Sequence, residues 1–204
     1  GVSSVRLFHF LTTMADYMLL NLCWLVCSIP IVTIGASSAA MHTILGKMLL
    51  DEGGGVVLPF FRAFVVNFKA ATLYWLVQLG VMVLLVFNLW FSRQHQSTWS
   101  ILAVTKWVSI LLIIYLQSVS VFVYSQIARY ENTFGVYIRN AILLVIKNPI
   151  RSLICVAFFA IPFVMVWFNP ALFVRTLLLW SLIGITLLYD LTNRMLFPLY
   201  KELE

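Results

Sequence analysis

The chain has 204 residues, of which 63% are hydrophobic and only 10% are charged. Soluble globular domains average about 25% charged residues, and a chain of this length cannot bury so much apolar surface in one core, so the surplus must face lipid. Lysine and arginine outnumber the acids by 13 to 7, but the bases are scattered singly, which is not the basic stripe of a nucleic-acid-binding surface. We expect one integral membrane domain over residues 1–204, in contact with the lipid bilayer and with no nucleic-acid partner.

The first predicted membrane span covers about residues 16–36, and Asn21 is one of its few polar residues. Pro30 should kink the helix or end its regular part, because proline has no backbone N–H to continue the hydrogen-bond ladder. With Thr33 and Gly35 it forms a pattern that lets the backbone turn or pack closely. We expect the small Gly35 to let the following helix turn back onto this span.

Four further apolar stretches predict membrane spans, because each is long enough to cross a bilayer as a helix. They cover about residues 70–91, 98–128, 150–168 and 171–197. Asp190 and Arg194, near the end of the last span, are four residues apart and should form a local ion pair.

Three shorter segments show the helical period of apolar residues that is typical of amphipathic helices. They cover about residues 38–50, 58–69 and 134–147. Such helices lie at a membrane surface or pack on a partner protein. The predicted fold is therefore all-α: an integral membrane bundle of about five transmembrane helices with three amphipathic helices on the cytoplasmic side.

The bases predict an orientation, since cytoplasmic loops carry an excess of lysine and arginine. With five crossings, one side of the membrane receives nine of the 13 bases. The other side receives four, namely Arg6, Arg93, Lys106 and Arg175. This split places the C-terminus in the cytoplasm, the N-terminus outside, and all three amphipathic helices on the cytoplasmic face.

The residue types and spacings of catalytic and metal sites are missing from this sequence. Cys23 and Cys27 share a helix face and could form a metal or redox pair, but no histidine or acid is spaced to complete a site. The alternative is two small apolar side chains in a buried helix. We predict a non-enzymatic protein with no catalytic residue, no cofactor and no bound metal.

A few uncharged polar residues interrupt the spans: Asn21, Gln78, Asn88, Gln117, Ser118 and Ser120. Side chains of this kind usually form hydrogen bonds between transmembrane helices. They could alternatively bind a substrate such as a sugar, for which amide groups are suitable partners.

One string of residues carries a family resemblance. Residues 27–36 read CSIPIVTIGA, between Leu20-Asn21-Leu22 and a Lys47…Asp51-Glu52 ending, and the later segments 60–76 and 139–154 carry the same resemblance. The chain resembles the YesL-like family of bacterial integral membrane proteins, known as domain of unknown function 624. The genes of this family commonly accompany carbohydrate ABC importers, so the resemblance implies a role beside such an importer in the bacterial cytoplasmic membrane.

Two functions remain open at this stage, with a cell-envelope factor as a weaker third. The first is an accessory subunit that binds the permease or the cytoplasmic ATPase of a sugar importer, and the second is a standalone carrier or channel. The candidate residues for a partner interface are Lys47, Arg62, Arg139, Asn148 and Arg151. The residues assigned to a structural motif are Asn21, Pro30, Thr33 and Gly35.

Overall fold

A computed structural model of the chain describes residues 2–52, 54–94 and 100–202, and these form helices and short connections without a strand. The α-helices in chain order are α1 (Val2–Ser28), α2 (Ile34–Leu49), α3 (Val57–Gln94), α4 (Ser100–Ile127), α5 (Phe134–Lys147), α6 (Pro149–Phe168), α7 (Pro170–Leu179) and α8 (Ile185–Lys201). A 3₁₀ turn over Ile31–Thr33 precedes α2, and a π-helical segment over Trp180–Gly184 joins α7 to α8.

Five helical segments in the described part of the chain are long and apolar enough to cross a membrane. They are Arg6–Ser28, Val57–Gln94, Val104–Ile127, Pro149–Phe168 and Pro170–Lys201. The fold class predicted above, an all-α multi-pass membrane bundle, is confirmed. The predicted start of the third span, at Thr98, lies outside the described residues.

Helix α2 differs from the amphipathic surface helix predicted for residues 38–50. Eleven of its residues are buried, including every member of its small-residue run, and it packs against α1, α3, α4 and α8. The run Gly35-Ala36-Ser37-Ser38-Ala39-Ala40 explains this position, because small side chains let several helices approach one another closely. The segment has the expected period of apolar residues, but His42 on its polar side is buried against other helices, and only Lys47 at its end is exposed.

The other two predicted amphipathic helices have different outcomes. Helix α5, over Phe134–Lys147, is a separate helix as expected. The segment 58–69, in contrast, is the first part of the continuous helix α3. A polar residue at Lys69 suggested a boundary, but neither proline nor glycine follows it closely, so nothing in the backbone ends the helix there.

Hydrogen bonds and close contacts fix the directions in which the first helices run. Helices α2 and α8 are parallel, since Tyr189 donates to Ser38 at 2.7 Å and, one turn further on both helices, His42 bonds Asn193 at 3.0 Å. Helix α3 is antiparallel to α2. There the Trp75 indole donates to the carbonyl of Ile31 at 2.7 Å, at the start of α2.

Helix α1 runs antiparallel to α8, and therefore antiparallel to α2 and parallel to α3. The carbonyl of Tyr17 accepts a hydrogen bond from Thr186 at 3.1 Å, whereas the later residue Asn21 reaches back to the carbonyl of the earlier Ser181 at 2.6 Å. The start of α1 thus lies at the same end of the bundle as the 50–56 loop, α5 and the end of α8. We call this the base-rich end.

This arrangement disagrees with the predicted placement of the two chain termini on opposite sides of the bundle. Helix α2 carries the chain back alongside α1, an additional return that the count of five spans did not include. The reason is the length of α2: its 16 residues are too few to be recognised as a span from the sequence. Within the bundle they need no lipid-facing surface.

Candidate functional site

The four residues assigned to a structural motif, Asn21, Pro30, Thr33 and Gly35, form hydrogen bonds, a turn and close packing within the bundle. Asn21 is fully buried, and its amide donates to the carbonyls of Trp180 and Ser181 at 3.1 and 2.6 Å. Its oxygen accepts from the backbone N–H of Thr186 at 3.0 Å. A π-helical turn leaves backbone groups without their usual α-helical partners, and Asn21 supplies these partners from a neighbouring helix.

The turn after α1 is built by the other three residues of that motif. The hydroxyl of Thr33 donates to the carbonyls of Cys27 and Pro30 at 2.5 and 2.6 Å, which closes the chain around Pro30. Gly35 touches α3: a Cβ atom at this position would overlap with the carbonyl of Ala71 and lie 2.6 Å from Cβ of Trp75. Helix α2 does turn back and pack against α1, but the close approach at Gly35 itself is to α3.

The amides in the middle of the spans bond to one another between α3 and α4. Gln78 donates to Gln117 at 2.7 Å and accepts from Tyr124 at 2.9 Å, while Tyr74 shares a 2.9 Å hydrogen bond with Ser120. Each of these five side chains has a partner, which favours helix–helix bonding over substrate binding as their role.

The described residues contain no group of three or more metal-ligand side chains. All three cysteines are free thiols, and Cys23 and Cys155 are buried in the core. The ion pair predicted between Asp190 and Arg194 is present, with 2.7 Å between the arginine Nε and a carboxylate oxygen. It is an interaction within one helix.

The candidate interface residues are all near the base-rich end. Lys47, in the last turn of α2, is exposed, as are Arg62 in α3 and Arg139 in α5. Asn148 lies between α5 and α6 and is half-buried, and its amide donates to the carbonyl of Leu144 at 3.3 Å. Arg151 is half-buried one turn into α6, and its Nη1 is buried without a hydrogen-bond partner.

A cluster of polar side chains occupies the space between α2, α4 and α8 at this end. We call it the Arg129 cluster, and it comprises His42, Gln126, Arg129, Asn193 and Tyr200. The guanidinium of Arg129 lies 4.7 Å from the ring centroid of Tyr200 and acts electrostatically on His42. His42 and Asn193 share the 3.0 Å hydrogen bond described above, in which Nδ1 donates, because the amide oxygen can only accept.

Four polar atoms of the Arg129 cluster that can donate a hydrogen bond are buried without a partner. They are Nη2 of Arg129, Nε2 of Gln126, Nδ2 of Asn193 and the hydroxyl of Tyr200. Most buried polar groups in proteins have a partner, so four without one in a single cluster need a physical explanation. No local pattern in the sequence points to this cluster, since His42 and Asn193 are separated by 151 positions.

Two cavities open at the base-rich end, on either side of Tyr130. The larger, about 520 Å³, is lined by polar residues of the 131–133 loop together with Asn67 and Tyr137. The smaller, about 380 Å³, is lined by Gln126, Tyr130, Asn132, Asn140, Leu143, Leu144, Lys147 and Tyr200. The smaller cavity is therefore in direct contact with two members of the Arg129 cluster.

Chemically, the donors, amides and bases of this end are suited to binding. No acid lines the smaller cavity, and its only charged residue is Lys147. A general acid–base pair or an activated nucleophile would need titratable partners in hydrogen-bond reach of each other, and the cavity lining does not bring such a pair together.

Comparison with known proteins gives one match. The model of the family described as "Protein of unknown function, DUF624" matches residues 17–89, from α1 to near the end of α3. No curated protein and no solved structure is similar enough to count as a match. The matched region contains the Pro30 turn, the buried helix α2 and its contact with α3, and over this region the chain is similar to the DUF624 family, in agreement with its resemblance to YesL-like membrane proteins.

Proposed function

We propose that this protein is a non-enzymatic accessory subunit in the bacterial cytoplasmic membrane, which binds the permease or the ATPase of a carbohydrate ABC importer through its base-rich end. The importer class rests on the YesL-like resemblance. The observation that carries the choice of surface is the distribution of bases over the two ends of the bundle.

The bases are divided more unevenly between the two ends of the bundle than the nine-to-four split predicted from the sequence. Because α1 begins at the base-rich end, Arg6 joins the other bases there, and the split becomes ten to three out of 13. Only Arg93, Lys106 and Arg175 lie toward the opposite end. In α3, 24 residues rise from Lys69 to Arg93, about 36 Å at 1.5 Å per residue, close to the thickness of a bilayer core of about 30 Å.

By the positive-inside rule, the base-rich end is cytoplasmic. Both termini then lie in the cytoplasm, and the α1–α2 pair enters and leaves the membrane by the same face. This replaces the earlier expectation of an external N-terminus. It also places the 50–56 loop, α5 and the C-terminus on the side where the ATPase of an importer works.

The exposed bases are arranged for contact with a partner. Helix α5 buries Tyr137, Ala141 and Val145 against the bundle, so Arg139 is on its outer side. Lys47 and Arg62 are exposed on neighbouring helices of the same end. Exposed charges of one sign steer and orient association with an oppositely charged surface.

The carrier alternative receives less support. A substrate path would need free polar groups in the middle of the membrane, but Gln78 and Gln117 are bonded to each other and to their neighbours. Neither cavity described above reaches the opposite end, where Arg93 and Lys106 lie.

Co-purification in mild detergent tests the proposal. The variant changes Lys47, Arg62 and Arg139 to Glu together, and we expect it to lose most of the co-purified permease or ATPase and to reduce sugar uptake. The matched control changes Arg93, Lys106 and Arg175 to Glu, which alters the net charge equally at the opposite end.

The control should keep both the partner and the uptake. Thiol accessibility must show that both variants insert with the same orientation as the wild type. If the first variant retains its partner and its uptake as the control does, the base-rich end is not the docking surface.

A further inference from the structure

Arg129 is a half-buried cation that forms no ion pair with an acid in the described part of the chain. Its Nη2 is buried without a partner. Arginine cannot lose its proton in a protein, so its charge must be compensated from outside the side chain. The Tyr200 ring at 4.7 Å supplies only part of this, since a cation–π contact stabilises the charge without accepting a hydrogen bond from the unpartnered Nη2.

The neighbours of Arg129 increase the need for an acceptor. Gln126, in the last turn of α4 and three residues before Arg129, is 3% exposed and has a partnerless Nε2. Asn193 is fully buried, and its oxygen bonds to His42 while its Nδ2 has no partner. These unpartnered atoms are all donors, and the unpartnered Tyr200 hydroxyl can also donate. A negatively charged group with several acceptor oxygens satisfies such a set better than a neutral one.

The smaller cavity offers space for that group. Gln126, Tyr200 and Lys147 form part of its wall, and Lys147 carries a positive charge there. The Arg129 guanidinium does not line the cavity, but it lies 4.7 Å from the centroid of the Tyr200 ring in the cavity wall. Its volume of about 380 Å³ is within the range of about 300–1,000 Å³ for small-molecule sites. The cavity lies between helices at the base-rich end, which is a position where basic pockets hold lipid head groups.

We propose that the cavity bounded by Gln126, Tyr200 and Lys147 binds a phosphate group, which is attracted by the Lys147 charge and by the Arg129 charge next to the Tyr200 ring. The group belongs to an anionic phospholipid or to a free phosphate compound. This site is independent of the proposed partner docking, because Gln126 and Arg129 are not among the exposed bases assigned to the partner.

Thermal unfolding of the delipidated full chain in detergent tests the site. One arm adds inorganic phosphate and the other adds short-chain phosphatidylglycerol, both at an ionic strength held constant with potassium chloride. We expect one or both probes to raise the unfolding midpoint by several degrees in a saturable manner. A response to the lipid alone identifies a head-group site, and a response to phosphate identifies a site for the free anion.

Two variants and one control locate the effect. Arg129→Gln should weaken the apparent affinity about tenfold, and Gln126→Leu, which keeps every charge, should weaken it several-fold. Arg139→Gln removes an exposed base at the same end and should respond like the wild type. If Arg129→Gln does not fold, the midpoint shift of Gln126→Leu alone tests whether the cavity binds the probe. No midpoint shift beyond the potassium chloride control, or equal shifts in Gln126→Leu and the wild type, would overturn the proposal.

Discussion

At the scale of single residues, the structure separates polar groups that hold helices together from those that lack a partner. Asn21 and the Gln78–Gln117 pair are of the first kind, since each forms defined hydrogen bonds between helices. Arg129 and Gln126 are of the second kind. The sequence predicted that the amides would bond across helices, but it could not separate the two kinds, because partners come from distant parts of the chain.

The role assigned to Asn21 predicts a loss of stability on substitution. Asn21→Leu keeps the volume similar but leaves the carbonyls of Trp180 and Ser181 and the N–H of Thr186 without partners. We expect a loss of about 1–3 kcal/mol, seen as a fall in the thermal unfolding midpoint in detergent. The control is Leu22→Ala on the exposed side of α1, which should change the midpoint far less, and a midpoint of Asn21→Leu equal to that of the control would refute the role.

At the scale of elements, hydropathy predicted the five long helices well, because each must present apolar side chains to lipid over its whole length. Hydropathy did not predict the central position of helix α2. Its period of apolar residues with His42 and Lys47 is also what a surface helix shows, and only the contacts of its small residues with four neighbours reveal that it is central. The direction of α1 was missed for the same reason, since it follows from the return through α2.

The contact between α2 and α3 depends on Gly35. We expect Gly35→Leu to lower the folded yield and the unfolding midpoint, because its side chain would displace the Ala71 backbone or Trp75, and overpacking of this kind costs about 1–3 kcal/mol or more. Gly80→Leu on α3 is the matched control, since a Cβ there meets nothing within 4 Å. Equal yield and midpoint for the two variants would mean that the α2–α3 contact is not close.

At the scale of the whole molecule, the central claim is that one end of the bundle gathers the bases, both termini and the candidate sites, and that this end faces the cytoplasm. A single base, Arg6, changes sides with the direction of α1, so the count of bases alone could not distinguish five crossings from an arrangement with the α1–α2 return. The contacts of Tyr17 and Asn21 with α8 and the π-helical segment make that distinction within the bundle.

Labelling of single cysteines in a cysteine-free background tests this claim most directly. The positions are Ser4, near the start of α1, Leu50, after α2, and Gln94, at the end of α3, and the reagent is a maleimide that cannot cross the membrane. In spheroplasts we expect Gln94→Cys to react while Ser4→Cys and Leu50→Cys stay protected, and in inside-out vesicles we expect the reverse. Labelling of Ser4→Cys in spheroplasts, with Leu50→Cys protected, would contradict the shared cytoplasmic end and restore the arrangement with an external N-terminus.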